Sequence, residues 1–310
     1  MSFWYNQVPM EENFNSGHLA CQGCGATIAM RFALKALGTN TVVVIPACCW
    51  TIIDGAFPAH AIKVPLFHTA FETAAVVASG IKSGLRIRGK GDVTVMAWAG
   101  DGGTFDIGIQ ALSGAAERNE DIIYVVYDNE AYMNTGIQRS SATPYGAWTT
   151  TTPEKHPEDR PKKNIMEILA AHSIPYQATA TIAYPEDFIR KFKKARDIRG
   201  TRFIHVLSPC PPGWKIPSDV SVKVSRLAVE TRVFPLYEIE DYGEKYTINY
   251  WPKGLPVKEY LKIQGRFRHL TEDRIEYIQQ FVDRQWEKLV LKHKLSHGTL
   301  DNIPKNVIYR

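Results

Sequence analysis

The run Asp92-Val93-Thr94-Val95-Met96-Ala97-Trp98-Ala99, closed by Gly100-Asp101-Gly102-Gly103-Thr104, decides the fold. A short run of β-branched and apolar residues ended by glycines reads as a buried strand. A helical pattern, Phe105–Arg118, comes next, then a second near-continuous apolar run, Ile122–Tyr127. Strands this apolar suit a parallel sheet covered on both faces, joined by right-handed crossovers. Further out, Thr41–Ile45 and Arg202–Leu207 add strands, and Ala26–Leu37, Glu72–Leu85, Asn164–His172 and Glu186–Ile198 add helices. The class is α/β, a mostly parallel sheet with helices on both faces.

Composition narrows the function. The chain has 310 residues, and its 45% hydrophobic and 22% charged content excludes a mainly disordered protein. A formal net charge of +5 is far from a nucleic-acid footprint. No apolar run approaches the ~20 residues that span a bilayer. The first twenty residues carry Glu11, Glu12, Asn13 and Asn15 but no apolar core, so no secretory signal is visible. Five cysteines, an odd number, argue against a disulfide scaffold, and a reduced cytoplasm is expected.

The rhythm breaks at Ser140–Lys163, where Thr149–Thr152 and four prolines mark a functional or mobile loop. It ends near Cys210-Pro211-Pro212-Gly213. Beyond about Val224 come short aromatic strands (Phe234–Ile239, Tyr246–Tyr250) and a long amphipathic helix, Thr271–His293. That segment is small for a core of its own. The expected division is a cofactor domain, 1–223, and an extension, 224–310, packed on it or on a partner.

Two signals carry chemistry. Gly100-Asp101-Gly102-Gly103 at a strand's carboxyl end exposes backbone N–H groups to a phosphate. Asp101 would repel a bare phosphate, but suits a bridging Mg²⁺. The plainer alternative is a Gly-rich turn with a capping Asp. Asn129, 27 residues beyond Gly102 at the end of the next strand, favours the cation. A Rossmann site is disfavoured, since Gly-x-Gly-x-x-Gly is absent. The second signal is Cys21-Gln22-Gly23-Cys24-Gly25, which fits zinc, a redox pair or one edge of an iron–sulfur cluster. Cys48 or Cys49, and Cys210, lie at strand ends and could complete a Cys₄ site. Cys₄ alone does not separate zinc from iron–sulfur, and each of these three could be a buried small hydrophobe.

The spacing from Gly100-Asp101-Gly102 to Asn129 resembles the signature of thiamine-diphosphate enzymes. With His18–Gly25, Gly100–Gly108, Tyr127–Gly136, Leu207–Cys210 and Gln264–Arg268, the chain resembles, from about Gly17 to Trp286, the β subunit of a 2-oxoacid:ferredoxin oxidoreductase. The pyruvate enzyme is the nearest type. The resemblance implies the thiamine-diphosphate-binding fold. It implies thiamine diphosphate held at Gly100, Asp101, Gly102 and Gly103, with Mg²⁺ on Asp101, Asn129 and the Ala131 carbonyl. It implies a 4Fe–4S cluster on Cys21, Cys24, Cys49 and Cys210, leaving Cys48 outside. Asn134 matches a family asparagine near the reacting carbon and is carried as catalytic. The implied reaction is oxidative decarboxylation of a small 2-oxoacid, with the acyl group passing to coenzyme A and electrons to ferredoxin. The activating Glu would lie on another subunit, so the chain should be inactive alone.

Ile52 stands where relatives accepting 2-oxoglutarate have Lys, which argues against a dicarboxylate, and Trp50 either reshapes the pocket or fills core. Oxalate, oxidised without coenzyme A, stays open beside pyruvate. A zinc-bound structural subunit is the reading of another class, and a non-redox thiamine decarboxylase a third. The basic cluster Arg190, Lys191, Lys193, Lys194, Arg196 and Arg199 is either a solvated helix face or a docking patch for acidic ferredoxin. Glu72–Leu85, with Gly80, is either an interface helix or plain core.

Overall fold

A computed structural model describes residues 8–298. The outermost parts of both expected segments, 1–7 and 299–310, lie outside the described residues. One eight-stranded sheet organises them. Its strands are β1 Thr41–Pro46, β2 Leu66–Thr69, β3 Thr94–Gly100, β4 Ile123–Asp128, β5 Tyr176–Thr181, β6 Arg202–Leu207, β7 Tyr237–Glu240 and β8 Lys245–Ile248. The order is β2-β1-β3-β4-β6-β5-β7-β8. The first six run parallel, while β7 and β8 are antiparallel.

The register explains why the central strands are so apolar. Val43, Ile45, Met96, Trp98, Ile123, Val125 and Tyr127 fill the core on one face. Val44, Val95, Ala97, Ala99, Tyr124 and Val126 fill the other. Helices α1 (Gly25–Leu37) and α6 (Pro185–Asp197) cover the first face through Met30, Ala33, Leu34, Phe188 and Phe192. Helices α3 (Ala74–Ile87), α4 (Ile109–Glu117), α5 (Ile165–Ala170) and α10 (Glu272–Ser296) cover the second. Between them lie short α2 (Cys49–Ile53) and α7 (Pro211–Trp214), then α8 (Ser221–Glu230) and α9 (Val257–Leu261).

The segment after 224 is not detached. β7 pairs with β5, α10 packs Trp286 and Leu289 into the second core, and a third cluster gathers Trp214, Val224, Val229, Tyr260 and Phe267. The 140–163 loop holds no helix or strand, yet Ser140, Thr143, Thr149 and Glu158 are buried in it. One consequence of the strand order matters most. β1, β3, β4 and β6 are parallel neighbours, so their carboxyl ends meet on one edge, where α/β sheets bind ligands.

Candidate active site

At that edge the chain delivers Cys48–Cys49 after β1, Gly100–Asp101 from β3, Asp128–Asn129 from β4 and Ser208–Cys210 after β6. The Gly-rich stretch is a π-helical turn, Gly102–Asp106, that leads into α4. Thr104 Oγ1 ties it back by donating to the Gly100 carbonyl at 2.8 Å. Gly102 cannot be larger, because a Cβ there would sit 2.0 Å from the Tyr132 ring. The Tyr132 hydroxyl in turn donates to Asp106 at 2.7 Å.

Three oxygens converge beside this turn. The Asn129 carboxamide oxygen lies 2.9 Å from the Ala131 carbonyl oxygen and 3.0 Å from Asp101 Oδ1. In this orientation no donor stands between them; turned over, the NH₂ would donate to both, the arrangement that hydrogen bonding alone favours and that a cation would reverse. Octahedral Mg²⁺, with oxygens at 2.0–2.1 Å, sets neighbouring ligands about 2.9 Å apart. The donor set and its spacing thus fit a small hard cation. Asp101 is fully enclosed. Burial, then the nearby Asp128 carboxylate, pushes its carboxyl well above the usual range. The Ser140 hydroxyl, donating at 2.5 Å, and the Lys162 ammonium pull the other way.

The thiols form a second locus. Cys21, Cys24, Cys49 and Cys210 line one cleft of about 80 Å³, together with Tyr127, Asn129 and Asn134. Backbone contacts hold its walls together: Gly25 N–H donates to the Pro209 carbonyl at 3.0 Å, and Ser221 Oγ to the Gly23 carbonyl at 2.6 Å. Gly23 has φ +72, and a Cβ there would meet the Ser218 carbonyl oxygen at 2.0 Å, so only glycine fits this turn. Cys48 is not a lining residue; burial raises its thiol, and the Tyr127 hydroxyl pairs with it. Burial, reinforced by the neighbouring thiols, pushes Cys49 up to about 12. Cys210 rises to about 12 from burial, and Cys24 is raised by burial too. Among the described residues, no three His, Cys, Asp or Glu side chains close on a point that would hold one metal ion. The four thiols share a cleft instead.

Asn134 sits on a tight turn in which Tyr132 and Gln138 bridge. Gly136 and Ile137 there take φ +114 and +63. A β-branched residue with positive φ is strained. Thr150 Oγ1 holds it by donating to the Gly136 and Ile137 carbonyls at 2.8 and 2.9 Å. The threonine run is thus a clamp on the Asn134 turn.

Sequence reasoning gave no role to the residues that pack behind the site, although Asp128, Glu130 and Arg266 lie in the stretches that carry the resemblance. Lys162 pairs with Asp128 at 2.5 Å and Glu130 at 2.9 Å, Arg266 pairs with Glu130 at 2.5 Å, and His205 Nε2 meets Asp128 at 2.6 Å. Lys162 comes from the irregular loop and Arg266 from Gln264–Arg268, so no local spacing links them. The basic cluster is partly paired within the chain. Arg190 pairs with Asp187 and Glu238, Lys191 is buried against Asp187, and Lys194 pairs with Glu238 and Glu240. Arg196 pairs with Asp197 and Arg199 with Asp121. Acids of the same chain offset part of this charge, while Asp121 is shared by Lys82, Arg86, Arg199 and Arg202.

Residues 49–206 match the family model of the thiamine pyrophosphate enzyme C-terminal TPP-binding domain. The chain is 55% identical over 295 residues to the ketoisovalerate oxidoreductase subunit VorB of Pyrococcus horikoshii, covering 91% of this chain and 94% of that protein. It is 54% identical over 287 residues to the pyruvate synthase subunit PorB of Methanothermobacter marburgensis, covering 91% and 99%. The solved 2-oxoglutarate:ferredoxin oxidoreductase of Magnetococcus marinus shares the fold, with a TM-score of 0.58 at 21% identity over 72% of this chain and 81% of that one.

Proposed function

The chain belongs to the β subunits of the 2-oxoacid:ferredoxin oxidoreductases, and on that premise we propose that it oxidatively decarboxylates a small 2-oxoacid with an uncharged side chain, pyruvate or 2-oxoisovalerate. Electrons leave through a 4Fe–4S cluster on Cys21, Cys24, Cys49 and Cys210 to ferredoxin, the acyl group passes to coenzyme A, and partner subunits complete the site. The observation that carries this reading is that one sheet edge holds both the oxygen triad and the four-thiol cleft, with Asn129 common to both.

When bound, thiamine diphosphate supplies the carbanion and the electron sink for decarboxylation. Asp101, Asn129 and the Ala131 carbonyl would hold the Mg²⁺ that neutralises its diphosphate. The Asn129 carbonyl is fixed by the Trp214 indole N–H at 2.8 Å, which leaves the side chain free to face Asp101. Asn134 offers a carboxamide in the thiol cleft, where its N–H can donate to a developing oxyanion. Leu19, Ala20, Ala26, Ile52 and Ile53 make the cleft apolar, and an apolar shell excludes water around a cluster and tunes its potential. Among the described residues, the cleft lining carries no Lys, Arg or His, and Ile52 is part of it.

The test is anaerobic viologen reduction by the copurified complex with pyruvate, 2-oxoisovalerate, 2-oxoglutarate and oxalate, with and without coenzyme A, alongside an iron and zinc count. Coenzyme-A-dependent turnover of the first two, with about four irons per chain for this cluster, is expected. Stoichiometric zinc without iron would sink the cluster assignment. Turnover of oxalate without coenzyme A would replace the substrate.

A further inference from the structure

Glu130 stands between two of the three groups that converge on the cation site, Asn129 and Ala131. Its backbone is left-handed, φ +69, which is uncommon for a side chain of this size. That turn allows the Asn129 side chain and the Ala131 carbonyl, two positions apart, to approach Asp101 together. An extended residue would send successive groups to opposite faces.

The strained turn is held from every side. Glu130 is 4% exposed. Its N–H donates to Asp128 Oδ1 at 2.9 Å, and its carbonyl accepts from Thr143 Oγ1 at 2.8 Å. Its carboxylate takes Lys162 on one oxygen at 2.9 Å and Arg266 on the other at 2.5 Å. Arg266 is itself oriented: its Nε donates to Gln264 Oε1 at 2.9 Å, and its guanidinium lies 4.0 Å over the Trp214 ring, the same ring that holds the Asn129 carbonyl. A buried carboxylate with two charged partners is the kind of anchor that over-determines a backbone.

We propose that Glu130 is a positioning residue for the Mg²⁺–diphosphate site, and that Arg266 and Lys162 act through it. The Gln264–Arg268 segment then belongs to the cofactor site although it touches no ligand. This inference rests on the cation reading of Asp101, Asn129 and Ala131.

The experiment titrates Mg²⁺ against the assembled enzyme at fixed thiamine diphosphate, following intrinsic tryptophan fluorescence. Partners that orient metal ligands typically contribute about 10–100-fold in affinity. Glu130→Ala is expected to weaken Mg²⁺ by that order. Glu130→Gly is expected to recover part of the loss, because glycine takes positive φ without strain. A merely structural carboxylate predicts the opposite order or none, since glycine destabilises a chain more than alanine does. Unchanged Mg²⁺ affinity in Glu130→Ala, or equal losses in the two variants, overturns the proposal. Should Glu130→Ala fail to assemble, the isosteric Glu130→Gln and the charge-keeping Arg266→Lys take its place. Weakened Mg²⁺ binding in both supports the inference, and wild-type affinity in either overturns it. Asp101→Asn is the control for the premise. If it leaves Mg²⁺-dependent binding intact, the cation site itself is wrong; if it abolishes binding while Glu130→Ala does not, only the present inference fails.

Discussion

The oxygen triad and the thiol cleft share one sheet edge but are built by opposite means. The frame around the triad is tied: Asp101 to Ser140, the Asn129 carbonyl to Trp214, Glu130 to Lys162 and Arg266. Buried carboxylates there face buried cations, so the geometry exists before any ligand arrives. The thiol cleft has no such counter-charge in its lining, and burial holds Cys24, Cys49 and Cys210 as neutral thiols. Thiolates are the ligating form, so this locus reaches its working charge state only on loading. One locus is pre-organised, the other completed by its ligand.

The largest effect expected from this contrast is all-or-none. Cys49→Ser should remove the roughly four irons per chain held in this cleft, with the visible absorbance they carry, while Mg²⁺-dependent binding of thiamine diphosphate persists. The neighbouring Cys48→Ala should keep the iron, because Cys48 is outside the cleft lining and pairs with Tyr127. Loss of diphosphate binding in Cys49→Ser would show that the two loci are not independent and would break the comparison. Next in size, Asp101→Asn should cost at least about 100-fold in Mg²⁺ affinity, at the upper end for a site with few ligands, and leave iron content unchanged. Isothermal titration and an iron assay on the same preparation check both halves.

These two loci were unequally legible in the sequence. The β3 and β4 strands could be read because both faces of the central sheet are apolar, which puts Gly100–Asp101 and Asn129 at strand ends. β5 could not: Gln177, Thr179 and Thr181 look polar, yet they are buried, and Thr179 Oγ1 donates to the Pro235 carbonyl at 2.7 Å. β2 was missed for the reverse reason, as a short strand whose Phe67 and His68 are exposed. Ser140, Lys162 and Arg266 lie far from Asp101, Asp128 and Glu130 in sequence, and no periodicity connects a loop serine or a late arginine to a strand end. The partners of the basic helix were not legible because charge composition is local while the acids Glu238 and Glu240 come from β7, reached only through the fold.

Alkaline pH sharpens the contrast with a smaller effect. Without the cluster, burial pushes Cys49 and Cys210 up to about 12, against an ordinary thiol value of 9.0. Between those values the unfolded chain has released protons that the folded chain still holds. Stability is therefore independent of these thiols below about pH 9 and falls as pH rises toward 12. The slope is at most about 1.4 kcal/mol per pH unit per thiol. Urea midpoints from pH 8 upward should fall more steeply in the cluster-free complex than in the loaded one, where the sulfurs are already thiolate ligands and only groups such as the buried tyrosines, raised by burial, remain to titrate. Parallel slopes would mean that the cleft is not completed by its ligand.

The smallest effect tests where the two loci meet. Asn134 lies in the thiol cleft, but its turn is clamped like the triad, by Thr150 on the Gly136 and Ile137 carbonyls. Thr150→Val removes the hydroxyl and keeps the shape. The Thr150 N–H still donates to the Ile137 carbonyl at 2.9 Å, so the turn loosens without being lost. One hydrogen bond contributes about 1 kcal/mol net, about fivefold in an equilibrium constant. If Asn134 positions substrate, Thr150→Val should raise KM for the 2-oxoacid about fivefold, with iron content and Mg²⁺ affinity as in the wild type. An equal fall in iron content would place the turn with the cleft's structure. A fall in Mg²⁺ affinity would extend the pre-organised region across the β4 strand end and into the substrate pocket.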